Sequence, residues 1–205
     1  MKSLITVIGL TLASTVAMAA DSAATNAYVG NADQGKAKSM TCAACHGTDG
    51  NSAAADYPKL AGQHATYLES TLKAYRDGSR ANAIMAGMAT ALSDEDIADL
   101  AAYYSEQMFS TGAVEANLVV RGEQLYRFGD SEKGISACAA CHGPTGAGVS
   151  SAIFPSLKGQ WAGYSEAQLT AFRDGLRANA MMNGVAKNMS DADIKAVSSY
   201  VGGLQ

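Results

Sequence analysis

Thr41-Cys42-Ala43-Ala44-Cys45-His46-Gly47 recurs as Ala137-Cys138-Ala139-Ala140-Cys141-His142-Gly143, 96 residues further along the chain. One inserted residue then makes the offset 97, and the agreement continues. Residues 58–63 (PKLAGQ) pair with 155–160 (PSLKGQ), 74–83 (AYRDGSRANA) with 171–180 (AFRDGLRANA), and 93–97 (SDEDI) with 190–194 (SDADI). Agreement in this order at a nearly constant offset marks a tandem duplication. It divides the 205 residues into a leader at 1–20, a first domain at 21–109, a connection at 110–117 and a second domain at 118–205. The connection, STGAVEAN, is small and polar, which suits an exposed segment between domains.

Neither half shows the alternating pattern of a strand, and both read as helical. Ser93 and Ser190 each open a capping-box-like S-x-x-D before an apolar series: Ile97, Leu100, Ala101 and Tyr104 in one half, Ile194, Val197, Tyr200 and Val201 in the other. A second helix is predicted over 65–77 and 165–174, stopping at Gly78 or Gly175. A shorter one precedes each cysteine pair, over 33–40 and 118–126. The expectation is about three helices per half, wrapped by Gly- and Ala-rich loops that cannot pack a dry core alone. A bulky ligand in each half would complete it.

A C-x-x-C pair by itself fits a zinc half-site, a dithiol redox centre or a disulfide. The adjoining histidine separates these readings. In C-x-x-C-H the two thiols add to the vinyl groups of a haem, and the adjacent imidazole reaches the iron from the face those bonds define. Cys42, Cys45, Cys138 and Cys141 are thus candidate covalent attachment points for two haem c groups, and His46 and His142 candidate axial ligands. A zinc site made of the four cysteines would leave both histidines unexplained.

The duplication also filters the sixth ligand. His64 maps to Trp161, so a matched second histidine has no source, and His64 reads as a surface residue at a helix start. Met181 maps to Ile84 and Met189 to Leu92, as core-filling residues would. Only Met85 and Met182 coincide, each in a Met-x-Gly step after Arg-Ala-Asn-Ala. They are the candidate second axial ligands. A purely structural role in the core competes with that assignment, and Met181 competes with its neighbour Met182. Pro58 and Pro155 stand where a backbone carbonyl could orient each proximal imidazole, though a plain loop proline explains them as well. Arg80 and Arg177 could pair with haem propionates; a solvent-facing charge at a helix end explains their recurrence nearly as well.

Composition narrows the class. Charged residues make up 17% and the formal net charge is −4, which argues against a nucleic-acid-binding protein. Residues 1–20 combine Lys2, an apolar run over 4–16 and an A-x-A step at Ala17, Met18 and Ala19, the pattern of an exported protein's signal peptide. Residues 21–113 hold 11 acidic and 6 basic side chains, whereas 118–205 hold 7 acidic and 8 basic. Such a dipolar chain is expected to present different ends to different partners.

Through these motifs the mature chain resembles the dihaem cytochromes c of the c4 type. The resemblance implies an all-α fold of two tandem class I cytochrome c domains, related by a pseudo-twofold axis, each wrapped around a covalent haem. It implies a periplasmic, loosely membrane-associated carrier that takes electrons from a quinol-oxidising cytochrome complex and passes them to a terminal oxidase. No catalytic residue and no small-molecule substrate are expected. Two other classes compete: a dihaem oxidoreductase, such as a peroxidase or thiosulfate-oxidising cytochrome, and a permanent haem subunit of a membrane complex. Matched methionines disfavour the enzyme, which should show one open or unusual haem.

Overall fold

The computed structural model describes residues 28–205. The expected leader, its expected cleavage step and the expected start of the first domain lie outside them. Among the described residues there are no strands, only isolated bridges at Asp130 with Ile135 and Val149 with Phe154. The first half contains α1 (Ala32–Lys38), α2 (Met40–His46), α3 (Ala65–Arg76), α4 (Ala83–Ala89) and α5 (Asp94–Ser105). The second contains α6 (Val119–Phe128), α7 (Ala139–His142), α8 (Ala162–Arg173), α9 (Ala180–Ala186) and α10 (Asp191–Gly202).

Among the described residues, five α-helices in each half replace the expected three or so. The surplus is short: α2 and α7 run through the Cys-x-x-Cys-His segments, and α4 and α9 carry the repeated methionines. None of the four exceeds seven residues, so each is too brief for an apolar period to reveal it. Helix α8 also starts at Ala162, three residues before the expected start. The caps behave as read. Ser93 and Ser190 accept from the backbone N–H of Asp96 and Asp193, whose carboxylates accept from the serine N–H in return.

Each half has its own core. In the first, Leu68 of α3 meets Leu100, Ala101, Tyr103 and Tyr104 of α5. In the second, Leu125 and Tyr126 of α6 and Phe172 of α8 meet Ile194, Val197 and Val201 of α10, with Met189 filling beside them. The first and last helices of each half cross closely at a glycine. A Cβ on Gly35 would run into the Asp99 carbonyl of α5, and one on Gly122 into the Ala196 carbonyl of α10. The two glycines are 87 residues apart rather than 96, because the segment after α6 is longer, and the repeat alignment therefore passes over them.

The same crossings are tied by buried carboxylates. Asp99 is 1% exposed and accepts from the Tyr28 hydroxyl (2.7 Å), the Asn31 N–H (2.7 Å) and Lys38 Nζ (2.6 Å). Asp193 serves the second half by accepting from Arg121 and Lys133. Burial works to raise both carboxyl pKa values, but hydrogen bonds from these donors outweigh it and hold both below the usual range.

The halves meet across a polar, two-fold-like seam. Gln63 binds both backbone groups of Ser156, and Gln160 binds both of Lys59. Trp161 Nε1 donates to Ser52 Oγ at 2.8 Å, and the ring of His64 lies 2.8 Å by its Nε2 from the Ala147 carbonyl. His64 does open a helix, α3, but it also reaches the other half. The connection is exposed over much of its length yet anchored, with Gly112 N–H donating to Gly202 O and Glu115 N–H to Ser199 Oγ.

Replacing Gly35 by Ala should cost about 1–3 kcal/mol through overpacking against backbone that cannot yield, lowering the thermal midpoint of the first half in calorimetry. A depressed carboxyl pKa contributes stability that is present above the unfolded value near ~3.9 and lost as pH falls through the folded one. The stability gap between the wild type and Asp99→Asn should therefore be widest above about pH 4 and narrow in more acid solution, as read by melts across pH.

Candidate functional site

The geometry begins with where each imidazole proton sits. His46 and His142 end α2 and α7 and are buried. Their Nδ1 atoms lie 2.8 Å from the Pro58 carbonyl and 2.9 Å from the Pro155 carbonyl. A carbonyl can only accept, so Nδ1 carries the hydrogen and donates, and the Nε2 lone pair is left free to bind a metal. Burial lowers the pKa of both rings, which keeps them neutral, as ligation requires. Each proline reaches its histidine because the intervening loop closes on itself. Leu60 N–H donates to Gly50 O, and Leu157 N–H to Gly146 O, both at 2.7 Å. Gly50 (φ 82°) and Gly146 (φ 77°) occupy the left-handed region that this closure needs.

Four cysteines, all half-buried and none in a disulfide, lie on or beside the same short helices. Burial pushes the Cys138 thiol up to about 11 and raises that of Cys42. Such surroundings disfavour the thiolate that a zinc site or dithiol exchange needs, and favour an uncharged thioether. No group of three or more His, Cys, Asp or Glu side chains able to hold a metal ion occurs among the described residues.

Met85 and Met182 occupy the third position of α4 and α9. Asn82 and Asn179 cap those helices, accepting from the N–H of Met85 (2.9 Å) and of Met182 (3.0 Å). Both methionines are half-buried, and Met182 packs against the second core. Their neighbours do not behave as core residues: Ile84 is 66% exposed and Met181 51%. This corrects the expectation that those two fill the core. The cap sets the reason, because one residue's step along the first turn rotates the side chain by about 100°, turning Met181 outward where Met182 faces in. The asparagines were missed in the sequence, although Asn three residues before Met recurs in both halves as a capping pattern.

Arg80 and Arg177 do not face solvent. Arg80 Nη2 donates to the Tyr164 hydroxyl (3.0 Å), and Arg177 Nη2 donates to the Tyr67 hydroxyl (3.0 Å), each crossing to the other half. The guanidiniums stack on Tyr75 and Phe172 at 4.7 and 4.4 Å from the ring centroids. Both also donate to one acceptor, Gln168 Oε1, which Thr71 replaces in the first half and so breaks the symmetry. Neither arginine is in an ion pair among the described residues. They border a cavity of about 300 Å³ lined also by Tyr67, Ser70 and Asn179. Two half-buried cations without counter-ions beside a cavity suit an anionic ligand group. Two thiols, a tautomer-locked imidazole and a half-buried thioether in each half, with these cations between the halves, fit a pair of covalent haems.

Comparison with known proteins agrees with that chemistry. The family model described as Cytochrome c matches residues 32–106 and 119–205. A curated relative, cytochrome c4 of Pseudomonas aeruginosa, is 47% identical over 179 residues, covering 85% of this chain and 89% of its own. Another, the thiosulfate dehydrogenase electron acceptor of Thiomonas intermedia, is 43% identical over 175 residues, covering 80% of this chain and 78% of its own. Among solved structures, reduced recombinant cytochrome c4 from Pseudomonas stutzeri superposes with a TM-score of 0.84 at 44% identity, over 86% of this chain and 100% of that one.

Replacing Asn179 by Ala should remove about 1 kcal/mol from α9. The expected result is faster amide hydrogen exchange over Ala180–Ala186, with exchange in α10 unchanged.

Proposed function

The chain belongs to the cytochrome c family, as a dihaem electron carrier of the cytochrome c4 type with two covalent haem c groups, and on that premise we propose that it shuttles electrons in the periplasm from a quinol-oxidising cytochrome complex to a terminal oxidase. In this reading Cys42 and Cys45 hold one haem and Cys138 and Cys141 the other. His46 with Met85, and His142 with Met182, would hold the two irons. The observation that carries the reading is the matched donor set: a carbonyl-locked histidine and an asparagine-capped methionine in both halves.

When bound, each haem supplies a one-electron ferric/ferrous couple. The chain's own groups set its terms. The Pro58 and Pro155 carbonyls keep the imidazole proton on Nδ1, which orients the ring and strengthens Nε2 as a donor. Met85 and Met182 would offer the iron thioethers, which favour the ferrous state over a second imidazole. With both a histidine and a methionine offered in each half, the iron would have no position left for oxygen or peroxide, which supports carriage over catalysis. Arg80 and Arg177 would offer positive charge to haem propionates and so add to the bias towards ferrous iron.

The donor has a second candidate. One relative is a thiosulfate dehydrogenase electron acceptor, and its similarity along most of the chain favours a dehydrogenase as an additional electron source. No described helix is long and apolar enough to cross a membrane.

Magnetic circular dichroism of the oxidised protein tests the ligand sets: two methionine-to-iron charge-transfer signatures are expected, and a high-spin or bis-histidine haem would overturn the reading. Since 21–113 carries 11 acidic and 6 basic residues against 7 and 8 in 118–205, rates with the two partners should respond unequally to salt. Both should flatten once the Debye length falls below about 5 Å, and indifference to ionic strength would remove charge steering from the account.

A further inference from the structure

Two hydrogen-bonded chains cross the interface, and each ends on the proximal histidine of the opposite half. His142 Nδ1–H donates to the Pro155 carbonyl at 2.9 Å. The N–H of that same peptide group, belonging to Ser156, donates to Gln63 Oε1 at 2.8 Å. The other chain mirrors it: His46 Nδ1–H donates to Pro58 O at 2.8 Å, and Lys59 N–H, of that peptide, donates to Gln160 Oε1 at 2.9 Å. Each glutamine returns a second bond, Gln63 Nε2 to Ser156 O at 2.9 Å and Gln160 Nε2 to Lys59 O at 3.0 Å. Gln63, Lys59, His46 and His142 are all buried.

A peptide group is a planar, conjugated unit. Hydrogen bonding at its N–H polarises its carbonyl, so bonds at the two ends strengthen each other. The glutamine oxygen also orients the plane, because its amide grips the next carbonyl along. Acceptor strength at the proline carbonyl governs how far the imidazole proton is drawn from Nδ1, and with it the basicity of Nε2 towards iron.

We propose that Gln63 is a positioning residue for His142 and Gln160 for His46, so that each half tunes the redox centre of the other through one shared peptide group. This rests on the reading of His46 and His142 as axial ligands. Losing the glutamine acceptor weakens the proline carbonyl, reduces donation from Nε2 and disfavours ferric iron. The potential of the opposite haem therefore rises, and contact between the halves becomes part of what sets both potentials.

The test is a redox titration of the holoprotein followed by NMR, which resolves the shifted haem and ligand signals of each half. In Gln63→Leu the C-terminal haem should be favoured in its ferrous form by roughly threefold, the scale of part of one net hydrogen bond, with a smaller change at the N-terminal haem. In Gln160→Leu the pattern should reverse. The Nδ1–H of the affected histidine should exchange with solvent severalfold faster in the ferrous protein. Thr66→Ala removes a different interface bond, to Ser150, and should move neither potential. Equal shifts at both haems, larger shifts on the mutated half's own haem, or none would overturn the proposal. Absence of hyperfine-shifted His46 and His142 ring signals in the wild type would instead overturn the ligand reading beneath it.

Discussion

A hydrogen bond from an imidazole nitrogen to a proline carbonyl, made once in each half at 2.8 and 2.9 Å, is the constraint on which the rest of the structure depends. It determines which nitrogen is free, and it requires a backbone carbonyl to be held beside a buried ring. The loops meet that requirement by folding back on Gly50 and Gly146 and then running straight into α3 and α8. The helix crossings at Gly35 and Gly122, fastened by Asp99 and Asp193, hold the frame against which those loops close. Local geometry at the histidine is thus the product of the whole half-domain.

Duplication alters the problem by placing two such frames face to face. A polar seam between them is expensive unless its groups are satisfied, because a buried unpaired donor costs ~1–3 kcal/mol. The chain solves this with reciprocal pairs, in which Gln63 and Gln160 each satisfy both groups of one opposing residue, and Arg80 and Arg177 each meet a tyrosine across the seam. Small departures from symmetry remain. Gln168 serves both arginines where Thr71 cannot, and Trp161 reaches Ser52 where His64 reaches Ala147. These differences give otherwise equivalent halves unequal surroundings.

Much of the fold was legible in the residues because duplication supplied an internal comparison. The pairing of Met85 with Met182 followed from it, while the all-helical class followed from the lack of strand alternation and the Ser93 and Ser190 caps from their S-x-x-D pattern. What stayed hidden was short or non-periodic. Helices α4 and α9 are set by a single asparagine cap each, and their two exposed apolar residues, Ile84 and Met181, resembled core to any rule based on residue type. The glycine crossings fell out of register with the repeat. The arginines could not be told from surface charges, since their partners lie 84 and 110 residues away in sequence.

The sequence by itself determined the cofactor class: two Cys-x-x-Cys-His segments at equivalent positions indicate a covalent haem for each half, because bond-forming groups are readable wherever they stand. Only the tertiary structure decided how those groups are positioned. Which imidazole nitrogen is free, which methionine faces inward, and the fact that each half's glutamine holds the peptide behind the other half's histidine all depend on contacts between distant segments. Such contacts leave no local pattern, since their energies come from geometry formed only when the two halves pack together.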